Sequence, residues 1–80
     1  MLSPNCFNAI LEQAVILHTQ GQVPIKEFTR SFIYEMIEDE EVQNEWDFLS
    51  VEEQEVTAYY VRDQLQDNLI YEYEYSQSIF

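Results

Sequence analysis

The sequence predicts an all-α fold, a small bundle of three to four helices with a C-terminal tail expected to be extended. Three observations carry that expectation. Apolar residues recur at three- and four-residue spacing, Ser50 and Glu53 stand in capping-box register, and 80 residues contain only one glycine and two prolines. This length suffices for one compact domain, 1–80, and not for a two-domain enzyme. So short a chain buries only about 60–65% of the surface its unfolded form exposes, which predicts modest stability helped by self-association as a homodimer.

The first helix begins at Ser3-Pro4, because a serine oxygen can accept from an exposed backbone N–H and proline suits the first helical position. Gly21 is its expected end. Phe7, Ile10, Leu11, Ala14, Leu17 and His18 form one apolar stripe, and Val15 and Ile16 extend the apolar surface around the circumference. A helix so covered belongs at the centre of the bundle or at an interface.

Val23-Pro24 restarts the chain as a second helix, with Ile25, Phe28, Phe32, Ile33 and Met36 on one face and Lys26, Glu27, Arg30 and Tyr34 opposite. Glu38-Asp39-Glu40-Glu41 places four acids in succession, and their repulsion predicts a bend followed by a short turn of helix carrying Val42, Trp46, Phe48 and Leu49. A last helix runs from about Ser50 to Asp67, since Ser50 and Glu53 cap each other and Glu52 and Glu53 complement the helix N-terminus. Its expected buried stripe is Val51, Ala58, Val61, Leu65 and Leu69, with Arg62 at the margin reaching a neighbouring acid. Beyond it, Ile70 to Tyr75 alternates strictly and changes the period from 3.6 to 2. That predicts an extended segment, with helical continuation through Tyr75 as the alternative.

Charge is segregated along the chain. Residues 1 to 34 carry two acids and two bases, whereas residues 35 to 80 carry fourteen acids against Arg62 alone, so the whole net charge of −13 lies in the second part. With pI near 4.1, the protein is repelled by nucleic acid and by anionic lipid, and its expected partners are basic. The longest apolar run, Ala14 to Leu17, is too short to span a bilayer, and the N-terminus lacks a basic residue before Lys26. One cysteine forms no internal disulfide, so a cytoplasmic location is expected.

Catalytic signals are thin. The chain has one histidine, one cysteine and no glycine-rich loop. His18 falls on the buried stripe of the first helix, where a satisfied core histidine is the commoner case, and Cys6 has no histidine near it in sequence and is read as a small apolar filler. A calcium loop starting at Asp39 would need glycine at Asn44 and glutamate at Ser50. No enzyme activity, cofactor or metal site is therefore expected.

The last helix carries the functional expectation. At 100° per residue, Glu52, Val56, Tyr60, Asp63 and Asp67 share one side, interleaving carboxylates with valine and tyrosine. Interfaces favour aromatics, and carboxylates on helices can imitate a phosphate track to a protein that grips phosphates with Lys and Arg. The expected activity is that of an acidic binding protein occupying the basic surface of a nucleic-acid-binding protein or complex. Its electrostatic contacts would be Glu38, Asp39, Glu40, Glu41, Glu45, Asp47, Glu52, Asp63 and Asp67, with Trp46 and Tyr60 as anchors; core is the other place for Trp46, beside Phe48 and Leu49. In size, acidity and lack of catalytic residues the chain is similar in character to the small acidic inhibitors by which phages and mobile elements block restriction or CRISPR complexes, without matching a motif of any family. The alternative is a dimeric helical adaptor or regulatory subunit that works through its apolar N-terminal helices, with acidity serving solubility.

Overall fold

In order along the chain come α1 (Pro4–Thr19), a single 3-10 turn (Ile25–Glu27), α2 (Arg30–Met36), α3 (Glu40–Phe48) and α4 (Val51–Ser78). This computed structural model describes residues 2–78, with side chains described over 2–67. The expected all-α bundle is what forms.

Each helix start has a local cause. Ser3 is extended and its Oγ accepts from the Cys6 N–H at 3.3 Å, with Pro4 following at the first helical position. Thr29 caps α2 through Phe32 N–H at 3.3 Å. Asp39 caps α3, its Oδ1 accepting from Glu41 N–H at 2.8 Å and Val42 N–H at 3.2 Å. The capping box at α4 is closed in both directions: Glu53 N–H donates to Ser50 Oγ at 3.2 Å, and Ser50 N–H donates to Glu53 Oε1 at 3.1 Å.

α1 ends at Thr19, followed by Gly21 and by Gln22 at φ 56°. Gly21 is required by a close approach: a Cβ there would stand 2.8 Å from the Leu17 carbonyl oxygen. Gln22 takes the left-handed conformation, and Val23 N–H then closes back on the same Leu17 oxygen at 3.2 Å.

α1 is the central element and packs against α4, α3 and α2. Its Cys6, Ile10 and Ala14 are buried among Phe28, Ile33, Val42, Trp46, Leu49, Ala58, Val61 and Leu65. Trp46, Phe28 and Ile33 are the largest side chains fully enclosed. Three seam contacts lock the packing. His18 Nδ1 donates to the Val23 carbonyl at 2.6 Å while its ring meets Phe28 edge-on. Gln54 Nε2 donates to the Trp46 carbonyl at 3.0 Å. Arg62 Nη1 donates to the Phe28 carbonyl at 2.7 Å.

Several expectations are corrected. The second helix is divided: Phe28 departs from helical geometry at ψ 66°, so a 3-10 turn precedes α2 instead of one continuous helix. The acidic run bends the chain only over 37–39, and Glu40 and Glu41 then open a nine-residue α3 whose N-terminus favours them. Val51 is 60% exposed although it shares an angular sector with Ala58, because the buried stripe of α4 begins at Thr57. Phe48, placed with Trp46 by proximity in sequence, points away from the core and is 91% exposed. Arg62 reaches a backbone carbonyl rather than an acid. The backbone from Ile70 to Tyr75 is helical, since α4 continues to Ser78. A helix satisfies its own N–H and C=O groups, whereas a single strand has no ladder partner. The Leu69 side chain lies outside the described residues.

Candidate partner-binding surface

α4 places the expected face in solvent. Glu52, Val56, Tyr60, Asp63 and Asp67 are all exposed, within about 80° of arc at 3.6 residues per turn. Val56 and Tyr60 are 48% and 45% exposed, so neither packs beneath another helix. Tyr59 adjoins them at 58% exposure and stacks edge-on against Tyr60, ring centroids 5.8 Å apart. Tyr60 also borders an apolar groove toward α1, lined by Leu2, Pro4 and Phe7.

The remaining predicted contacts divide into two groups. Glu38, Glu40, Glu41 and Asp47 are exposed on α3 and the segment before it. Asp39 is exposed too, but its Oδ1 is committed to the α3 cap. Two others are drawn into the fold. Trp46 is 1% exposed and belongs to the core, so it is corrected from a surface anchor to the centre of the packing between α1, α3 and α4. Glu45 is half-buried: Oε1 accepts from Ser3 N–H at 2.9 Å, and Oε2 accepts from the Ser3 hydroxyl at 3.2 Å and the Cys6 thiol at 2.9 Å. The Cys6 thiol and the Ser3 N–H hold the Glu45 carboxyl below its ordinary range, and donation to that carboxylate in turn raises the Cys6 thiol. Glu45 therefore ties α3 to the start of α1.

Sequence reasoning missed these structural acids for different reasons. Glu45 meets Ser3 across 42 positions of sequence, a distance no local pattern reports. Asp39 did carry a signal: an aspartate followed by two acids just before Val42 and Trp46 is a helix start. Tyr59 was legible as an exposed neighbour of Tyr60.

The two arginines are used locally. Arg30 donates from Nε to Glu55 Oε1 at 3.1 Å and from Nη1 to Gln54 Oε1 at 3.2 Å, while Arg62 holds the Phe28 carbonyl. Both lie at the seam between the 28–30 segment and α4. The carboxylates of the Glu52 to Asp67 face have no described basic partner. Among the described residues no group of three or more His, Cys, Asp or Glu converges as metal ligands, and no helix is long and apolar enough to cross a membrane. Compared with protein-family models, curated proteins and solved structures, the chain matches none.

Proposed function

We propose that this protein is a non-enzymatic acidic binder that occupies the basic, nucleic-acid-contacting surface of another protein or complex. The observation that supports this most is the α4 face, where Glu52, Asp63 and Asp67 stand in solvent around the exposed Val56 and Tyr60. Long-range attraction between a chain of net charge −13 and a basic surface speeds encounter, and the tyrosine and valine add desolvated contact that charge alone does not give. A face kept only for solubility has no use for Tyr59, Tyr60 and Val56 in one patch. The mechanism is competitive exclusion: carboxylates take the Lys and Arg positions that phosphates would occupy.

The test is capture from nuclease-treated host lysate across a salt series, followed by competition with a DNA or RNA duplex. A captured nucleic-acid-binding protein that loses its duplex when this chain is added, and that ignores the E52Q/D63N/D67N variant, supports the reading. A captured protein that binds duplex equally with and without the chain overturns it.

A second reading, a dimeric helical adaptor, is favoured by one observation: Phe48 and Val51 are 91% and 60% exposed at the α3–α4 corner. Of the α1 stripe Ile10 and Ala14 are buried while Phe7, Leu11, Leu17 and His18 are half-buried, so such an adaptor would use that corner together with the N-terminal helices. Capture retained at high salt and lost in F48D would favour it.

A further inference from the structure

Between α1 and the elbow joining α2 to α3 lies a cavity of about 200 Å³ that the α4 face does not touch. Its lining combines the apolar Ile10, Met36, Ile37 and Val42 with Gln13 and with Glu38 and Asp39, both of which are exposed. Glu38 is exposed and has no hydrogen bond or ion pair with any described residue, and the described bonds to Asp39 fall on Oδ1, leaving Oδ2 for another donor. A pocket that joins apolar side chains to two exposed acids suits an alkyl stem ending in a cation, since such a side chain buries its methylenes and keeps its charge at the surface. A guanidinium fits two neighbouring carboxylates better than an ammonium, because it is planar, multiply donating and weakly hydrated.

We propose that this cavity is a socket for one arginine side chain of the basic partner. The proposal rests on the reading of the chain as a binder of basic surfaces, and it adds a specific insertion point on the side formed by α1, α2 and α3. It also gives the acidic run at 38–39 a role that a solvated charge cluster would not have.

The probe is N-acetyl-arginine N-methylamide, titrated into the full chain and followed by backbone amide NMR, with guanidinium chloride and N-acetylglycine N-methylamide as controls. Saturable shifts confined to residues 9–13 and 36–42, given by the arginine derivative and not by either control, are expected. E38Q should weaken that binding about two- to fivefold, the range of an exposed charge pair. A9F should abolish it, because Ala9 is an exposed residue lining the socket and phenylalanine fills the space. Far-UV circular dichroism establishes that A9F is folded, and E38Q provides an independent variant at an exposed site. Equal shifts with guanidinium chloride, or shifts spread along the α4 acids, overturn the proposal. Failure here is separable from failure of the function: a nucleic-acid-binding partner captured equally by A9F and wild type removes the socket and leaves the function, whereas confined arginine binding with no such partner captured removes the function and leaves the socket.

Discussion

The Cys6 thiol donates to Glu45 Oε2 across 2.9 Å, joining the first turn of α1 to the middle of α3. The same carboxylate takes two further bonds from Ser3, the residue whose hydroxyl caps α1. One acid thus fixes both the start of a helix and its docking against the next.

This cluster sets the pH dependence of folding. Donation from Cys6 and Ser3 lowers the Glu45 carboxyl from its ordinary 4.5, and the Ser50 N–H lowers that of Glu53 likewise. A carboxyl depressed in the fold contributes stability that is full above its unfolded value and is lost as pH falls through the folded one. Cys6 is raised above 9.0, chiefly by its bond to Glu45, so its contribution is present below that value and lost as pH rises through the raised one. Urea midpoints measured against pH should show a plateau between about pH 6 and pH 8 that falls on both sides. E45Q should lower the plateau and flatten both limbs; a profile parallel to wild type would contradict the assignment.

The caps have separable costs. S50A should lose about 1 kcal/mol, as should D39A, while D39N should be nearly neutral because asparagine caps as well as aspartate. Urea unfolding of the three variants measures this, and an equal loss for D39N and D39A would show that charge, not capping, is what Asp39 supplies.

Trp46 provides its own reporter. At 1% exposure it should emit at short wavelength in the native state and shift to the red on unfolding. W46A removes the largest core side chain and should cost about 3–5 kcal/mol, a large share of the about 5–15 kcal/mol that holds a typical small domain folded. Calorimetry of W46A that showed an unchanged transition would place Trp46 outside the core.

On α4, the three carboxylates of the partner face should be individually dispensable for folding. E52Q, D63N and D67N should each change stability by no more than about 0.5 kcal/mol, and the triple variant should be no less stable than wild type because it relieves repulsion. Thermal melts give the answer, and a large loss would mean that these acids are structural.

Helix positions were legible where a cap and a period agree. Ser3-Pro4 and the Ser50–Glu53 box each set a boundary by bonds within three residues, and the α4 face followed from 100° arithmetic once the helix was fixed. Phe28 was not legible as a break: its side chain is fully buried as the apolar period implies, yet its backbone leaves the helix so that Arg62 can take its carbonyl. Trp46 and Phe48 show the same limit from the other side. Two aromatics two positions apart have opposite fates, decided by which side of α3 meets α1. Alternation at Ile70 to Tyr75 gave the wrong period because a strand needs a second strand, and the neighbouring segments are helical.

The acids of this chain fall into two classes with different evolutionary freedom. Asp39, Glu45 and Glu53 hold helix ends and a long-range latch, so exchange at those positions is opposed by folding itself. Glu52, Asp63 and Asp67 make no hydrogen bond or ion pair with a described side chain. Drift constrained by the fold alone would therefore scatter the α4 carboxylates among any soluble residue while leaving the first three in place, and a lineage that kept both sets would be recording pressure from outside the chain.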